Sequence, residues 1–335
     1  LAMLTEPQVK KLNEFINIFI EYPLLTTILN DFERLRINHA FSGEQQCMLL
    51  TGDTGSGKSS VINHYKSKYP AIHIDGIFRH PVLVSRIPSR PTLESTIAQL
   101  LSDLGQVGTA NRKLRHNDFN LTDSLISNLK SCGTELIIIN EFQELVESNQ
   151  GKKRNEIANR LKYLNEEAGI PIVLVGMPWA EQIAEEPQWS SRLMVRRFIP
   201  YFKISEDLKL FVRVLMGLAA RMPFCEKPRL QEQDIVYALF AISKGCFRTL
   251  KQFLNEAVKQ TLLSGAKSLT KQHLSIAFEV FYPNIQNPFK LPVGEITACE
   301  VEKYSVYHTD SSSDNDAHNP TRFTEKLPIS LLLKK

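Results

Sequence analysis

Apolar residues recur at helical spacing through residues 5–40, at Leu12, Phe15, Ile16, Phe19 and Ile20 and again at Leu24, Leu25, Ile28, Leu29, Phe32 and Leu35. The pattern predicts two helices split near Pro23, an N-terminal extension over residues 1–40 whose apolar faces either pack on the core or dock a partner. Downstream, short continuous apolar runs alternate with helical stretches. The runs are Cys47-Met48-Leu49-Leu50, Val82-Leu83-Val84, Leu136-Ile137-Ile138-Ile139 and Ile172-Val173-Leu174-Val175, with a last short strand near 199–204. Between them fall a helix from Ser59 that ends before Pro70, an amphipathic helix opened by Thr92-Leu93-Glu94-Ser95, and another over 121–129. Such alternation means a parallel sheet covered by helices on both faces, so residues 41–204 are expected to form an α/β domain.

From Ser205 the spacing turns helical throughout, over 208–218, 234–242, 247–263 and 270–281, which predicts a small all-helical lid over residues 205–283. Periodicity is then lost, and Ser311-Ser312-Ser313-Asp314-Asn315-Asp316 reads as solvated chain. Residues 284–335 are expected to be a flexible tail, its apolar end near Leu331-Leu332-Leu333 being either a docking motif or a segment that packs back on the body.

The chemistry sits at the strand ends. After the first run comes Gly52-Asp53-Thr54-Gly55-Ser56-Gly57-Lys58-Ser59-Ser60, at the G-x-x-x-x-G-K-[ST] spacing of a phosphate-binding loop. Gly52, Gly55 and Gly57 let the backbone curl, so that its N–H groups and the following helix N-terminus converge on a phosphate. Lys58 is placed to reach the β- and γ-phosphates and the Ser59 hydroxyl to hold Mg²⁺, so ATP and Mg²⁺ are the expected ligands of residues 52–60. The most apolar run ends in Asn140-Glu141. Phosphate-loop ATPases use this edge for an acidic Mg²⁺ partner and a water-orienting Glu. Asn140 can accept a bond from metal-bound water but brings no charge, which predicts weak Mg²⁺ binding and slow hydrolysis, while Glu141 is the candidate for orienting water. Met177 follows the next strand, where a polar group sensing the γ-phosphate is often found. Arg192, Arg196 and Arg197 precede the last expected strand and suit either an arginine finger given to a neighbouring subunit or a solvated basic face. Arg248 opens a lid helix within reach of bound phosphates.

Composition narrows the picture little. The 335 residues are 43% hydrophobic and 23% charged, as in an ordinary globular protein, and no apolar run approaches the ~20 residues of a membrane span. A cytoplasmic protein is expected. Five scattered cysteines without C-x-x-C spacing argue against structural zinc and a disulfide framework. The net charge of +4 decides nothing, but basic groups concentrate in the loop expected after Glu141, at Lys152-Lys153-Arg154, with Arg160 and Lys162 following, at Arg79, Arg86 and Arg90, and at Arg112, Lys113 and Arg115.

Together the phosphate loop, Ile139-Asn140-Glu141-Phe142-Gln143-Glu144-Leu145, Gly176-Met177-Pro178, the 191–198 arginine segment and Gly245-Cys246-Phe247-Arg248 resemble the AAA+ ATPases of the TnsC/TniB type, which regulate DNA transposition. The likeness runs over residues 40–282, and the E-F-Q-x-L continuation is its most specific part. It implies an AAA+ core with a helical lid, ATP bound between subunits, and a homo-oligomeric ring or filament on double-stranded DNA. It further implies a bridge between a target selector of the TniQ/TnsD type and transposase subunits of the TnsA/TnsB type. In such an assembly Lys152, Lys153, Arg154, Arg90, Arg112 and Lys113 are the candidate phosphate contacts, each independent of base sequence. A non-hydrolysing nucleotide-gated scaffold and a replication-initiator or helicase-loader relative are the alternatives; a small-molecule kinase fits least, since no second substrate pocket is evident.

Overall fold

The computed structural model describes residues 4–41, 45–74, 77–105, 118–147, 151–309, 311 and 317–334. Its strands up to residue 199 are β1 (Met48–Gly52), β2 (Ile72–Ile74), β3 (Ile77–Arg79), β4 (Val82–Arg86), β5 (Leu136–Asn140), β6 (Ile172–Gly176) and β7 (Val195–Ile199). Five of them form a parallel sheet in the order β4-β5-β6-β1-β7, while β2 and β3 make a separate hairpin. Side chains alternate between the two faces of a strand, and here both faces are buried. Met48, Leu50, Ile138, Val173 and Val175 face one layer; Leu49, Ile137, Ile139, Ile172 and Leu174 face the other. This is why the runs are continuously apolar rather than alternating.

The first layer is α2 (Pro23–Asn38) with α3 (Lys58–Lys68), through Ile28, Phe32, Leu35, Val61 and Tyr65. The second is α4 (Leu93–Asp103), α5 (Asp118–Ser131) and α6 (Gly151–Ala168), through Ile97, Leu101, Leu125, Ile157 and Leu161. Thr92 caps α4, its hydroxyl accepting from Ser95 N at 3.1 Å. The two N-terminal helices part company at Pro23, which opens α2 at a position where its missing N–H costs nothing. α1 (Glu6–Ile16) sends Phe15 into the lid, whereas α2 lies on the sheet.

The lid is α7 (Ile204–Ala220), α8 (Gln233–Ser243), α9 (Phe247–Ser264) and α10 (Lys271–Phe281). The turn into α9 is set by Gly245 at φ 79°, where a Cβ would lie 2.0 Å from the Phe202 carbonyl oxygen. Only glycine fits there, and the turn fixes where α9 begins against the core.

Three expectations change. The last strand is Val195–Ile199, not 199–204, because Pro200 has no N–H to extend a ladder; Arg196 and Arg197 therefore sit on the strand itself. Residues 151–154 form the first turn of α6 rather than a loop. The segment after residue 284, expected to be flexible, is folded over its described residues. It doubles back as an irregular ribbon in which Thr297–Ala298, Val301–Lys303 and Val306–Tyr307 pair with Leu327–Pro328, Arg322–Phe323 and His318–Asn319. Ile296, Ala298, Ile329 and Leu332 are buried in the lid core and Tyr307 and Ala317 against the sheet, so the apolar end packs back on the body. Pairs this short leave no periodicity for a sequence reading to detect.

Candidate functional site

β1, the loop and α3 form one continuous turn at the carboxyl edge of the sheet, the edge where open α/β sheets bind ligands. Gly55 (φ 75°) and Gly57 (φ 113°) hold left-handed conformations that side chains resist, and Gly57 caps α3. Beside the loop lies a recess of about 270 Å³, lined by Thr54, Gly55, Gly57, Lys58, Ser59, Ser60, Glu141 and Arg248 among the predicted residues. Gly52, Asp53, Ser56 and Asn140 do not line it. Lys58 Nζ donates to the Gly52 and Asp53 carbonyls at 2.6 and 3.0 Å. Burial lowers its pKa to about 8, partly offset by the charges of Glu141 and Asp53.

Glu141 leaves β5 at φ 56°, an uncommon conformation for a residue with a side chain, which turns the chain sharply at the strand end. Its Oε2 accepts from Gln143 Nε2 at 2.7 Å, and Gln143 Oε1 accepts from Met177 N at 3.2 Å. Gln143, 5% exposed, thus clamps the ends of β5 and β6 and fixes the carboxylate. A Cβ on Gly176 would come within 2.9 Å of that Oε1, so Gly176 makes room for the clamp. Met177 lines the recess and offers it no polar side-chain group.

Arg248 brings the lid onto the loop. Its backbone N donates to Gly55 O at 3.0 Å and its Nη1 to Thr54 Oγ1 at 3.2 Å. One turn further on α9, Lys251 also lines the recess while 91% buried, donating to the Phe15 carbonyl and standing 3.6 Å from the Phe15 ring centre. Burial lowers its pKa to about 8. Sequence reasoning missed Lys251, whose only signal is a charge on the apolar face of a helix. It also missed the apolar cleft that Ile18, Phe19, Ile20 and Tyr22 form with Ser60 and Phe247 next to the recess.

The arginines of the 191–198 segment are not brought to this recess. Arg192 is only 10% exposed at its side chain and pairs with Glu166, so it is not presented to a neighbour. Arg197 Nε pairs with Asp31 of α2 at 2.7 Å, and Arg196, exposed beside Met194, donates to the Ala184 carbonyl at 3.1 Å. The Asp53 carboxylate turns from the recess to the C-terminal ribbon, accepting from Ser305 N at 3.0 Å and from Thr321 Oγ1. Although burial opposes it, these bonds and that from Thr54 N hold its pKa below the usual carboxylate range.

For Mg²⁺, the oxygen groups of the recess lining include the Ser59 hydroxyl and the Glu141 carboxylate, and no group of three or more His, Cys, Asp or Glu among the described residues is placed to hold a metal. This fits a cation that arrives with nucleotide phosphates rather than one held by protein alone. Of the basic candidates, Arg90 is exposed at φ 56°, Arg154 pairs with Glu186 at 3.0 Å, and Lys152 and Lys153 lie in the first turn of α6. Arg112 and Lys113 lie outside the described residues.

The family model described as "Bacterial TniB protein" matches residues 15–204, more than half of the chain. The chain belongs to the TniB family. No curated protein matches the sequence. Among solved structures, the TniB-family chain is similar to the Aeropyrum pernix ORC2 protein in its ADPNP-ADP complexes, at TM-score 0.56 and 18% identity over 78% of this chain and 70% of that one. It is similar to Aeropyrum pernix ORC1 in complex with DNA, at 0.56 and 14% over 80% and 69%, and to Cdc6p from Pyrobaculum aerophilum, at 0.55 and 11% over 84% and 74%. The sheet, the phosphate loop and the helical lid give this TniB-family chain the α/β AAA+ fold expected of it. Among the described residues, no helix is long and apolar enough to cross a membrane.

Proposed function

We propose that this TniB-family protein is an ATP-dependent DNA-binding assembly factor that oligomerises on duplex DNA and links a target selector to a transposase. The observation that carries the reading is Arg248, which joins the lid to Thr54 and Gly55 of the phosphate loop. A triphosphate bound there draws lid and core together and so sets the shape of the subunit offered to the next copy. Lys58 and the loop amides hold the phosphates, and Ser59, with Glu141 nearby, receives the accompanying Mg²⁺. When bound, that ion neutralises charge on the β- and γ-phosphates. Glu141, fixed by Gln143, orients the attacking water. Arg196, exposed on the edge strand, is the arginine offered to a neighbour's nucleotide, in preference to the engaged Arg192 and Arg197. Lys152, Lys153, Arg154, Arg90, Arg112 and Lys113 supply the DNA phosphate contacts. The ORC2 structure is of ADPNP-ADP complexes and the ORC1 structure is of a complex with DNA, and both ligands are proposed here for this chain. The partners remain those the resemblance implies, of the TniQ/TnsD and TnsA/TnsB types.

The test is electron microscopy and DNA binding with duplex DNA, Mg²⁺ and a non-hydrolysable ATP analogue. Oligomers form only when nucleotide and DNA are both present, and Lys58→Ala weakens nucleotide binding by about tenfold or more and removes them. A protein that stays monomeric under every condition, or Lys58→Ala that assembles as the parent does, overturns the reading. A non-hydrolysing scaffold is the second reading, favoured by neutral Asn140 and apolar Met177; phosphate release by the wild type on DNA rules it out.

A further inference from the structure

Asp53 lies within the phosphate loop, yet its side chain does not serve the recess. It is 1% exposed, and among the described residues the long-range bonds to its carboxylate come from the C-terminal ribbon: Ser305 N and Thr321 Oγ1 on Oδ2, with neighbouring Thr54 N on Oδ1 at 2.8 Å. The ribbon is stitched down around this point. Tyr201 donates its hydroxyl to the Thr54 carbonyl at 2.6 Å and its backbone N to Tyr304 OH at 3.1 Å, and its ring stacks on Phe323. Glu300, 5% exposed, accepts from Ser205 N and Oγ at the start of α7. Tyr307 lies against Trp179 just beyond β6, its carbonyl accepting from Gln182 Nε2 at 2.8 Å. One ribbon thus touches the loop, the lid root and the exit of β6.

We infer that Thr321 and Ser305 are positioning residues of the nucleotide site, acting through Asp53 to preset the phosphate loop for a nucleoside triphosphate. A buried carboxylate beside a site for a polyanion is costly unless its position is fixed and its lone pairs are occupied. The ribbon supplies both conditions, and Thr54, whose backbone N donates to Asp53 Oδ1, is also the residue whose hydroxyl accepts from Arg248. Coupling is reciprocal: a docked ribbon favours nucleotide, and bound nucleotide holds the ribbon down. The inference rests on the nucleotide reading above.

The experiment pairs calorimetry with hydrogen exchange, using the full chain and a non-hydrolysable ATP analogue. Thr321→Val keeps the shape and removes the donor; it should weaken analogue binding about tenfold, and Thr321→Ser should restore it. In the wild type the analogue should slow exchange of the Ser305 amide and its neighbours, and Thr321→Val should abolish that protection. Thr321→Val binding as the wild type does, or a Ser305 amide indifferent to the analogue in the wild type, overturns the positioning role while leaving the nucleotide site standing. A wild type that binds no analogue at all sinks both.

Discussion

Glu141 stands in a left-handed backbone conformation with its carboxylate held by Gln143, so one side chain is aimed by the strand end and steadied by the next strand's exit. Glu141→Gln keeps an acceptor for Gln143 and loses the charge proposed to orient water. Phosphate release should fall about a hundredfold or more while assembly persists; an unchanged rate would remove Glu141 from its role. Lys251 gives a pH signature. Its folded pKa of about 8 lies below the ordinary 10.5, so burial disfavours the ammonium, and that penalty is present at neutral pH and relieved as pH rises from 8 to 10.5. Wild type should therefore gain stability relative to Lys251→Met between pH 7 and pH 10, by at most about 3 kcal/mol at ~1.4 kcal/mol per pKa unit. Urea melts at the two pH values read the difference, and a constant gap would show that Lys251 does not titrate there. The loop residues were legible from spacing alone, because Gly55, Gly57 and Lys58 act on one another within a single turn. Gln143 could be seen as family-specific but not as a clamp, since its partner Met177 is 34 residues away.

The edge strand β7 shows what elements add to residues. Its arginines read as preceding the strand in the sequence, but pairing with β1 puts Arg196 and Arg197 on opposite faces, one toward Ala184 and one toward Asp31 on α2. Asp31 is 6% exposed and also accepts from Arg34, so it ties α2 to the sheet edge. A double-mutant cycle of Asp31→Asn and Arg197→Gln should return a coupling of about 1 kcal/mol, modest because the guanidinium is 36% exposed. A coupling near zero would leave the docking of α2 to its apolar face alone. Helix positions were legible because the 3.6-residue period was clean from Leu208 onward; strand ends were not, because Pro200 cuts the ladder one residue after a run that looks continuous.

At the scale of the molecule, three distant stretches meet on the nucleotide side. α1 joins the lid through Phe15, α9 lies on the loop through Arg248, and the ribbon reaches Asp53. Those last bonds join residues 252 and 268 positions apart, and no periodicity announces them. Such separations also govern time. Both separations exceed any that the sheet has to close, the pairing of β1 with β7 included, and longer closures are slower. The sheet and lid helices should therefore regain their circular dichroism first, and the ability to bind a fluorescent ATP analogue should return in a later, slower phase. Recovery of both signals in one phase would show that the loop matures without the ribbon. Until residues 305 and 321 have found Asp53, a newly made molecule would be folded to the eye and still unready for its nucleotide.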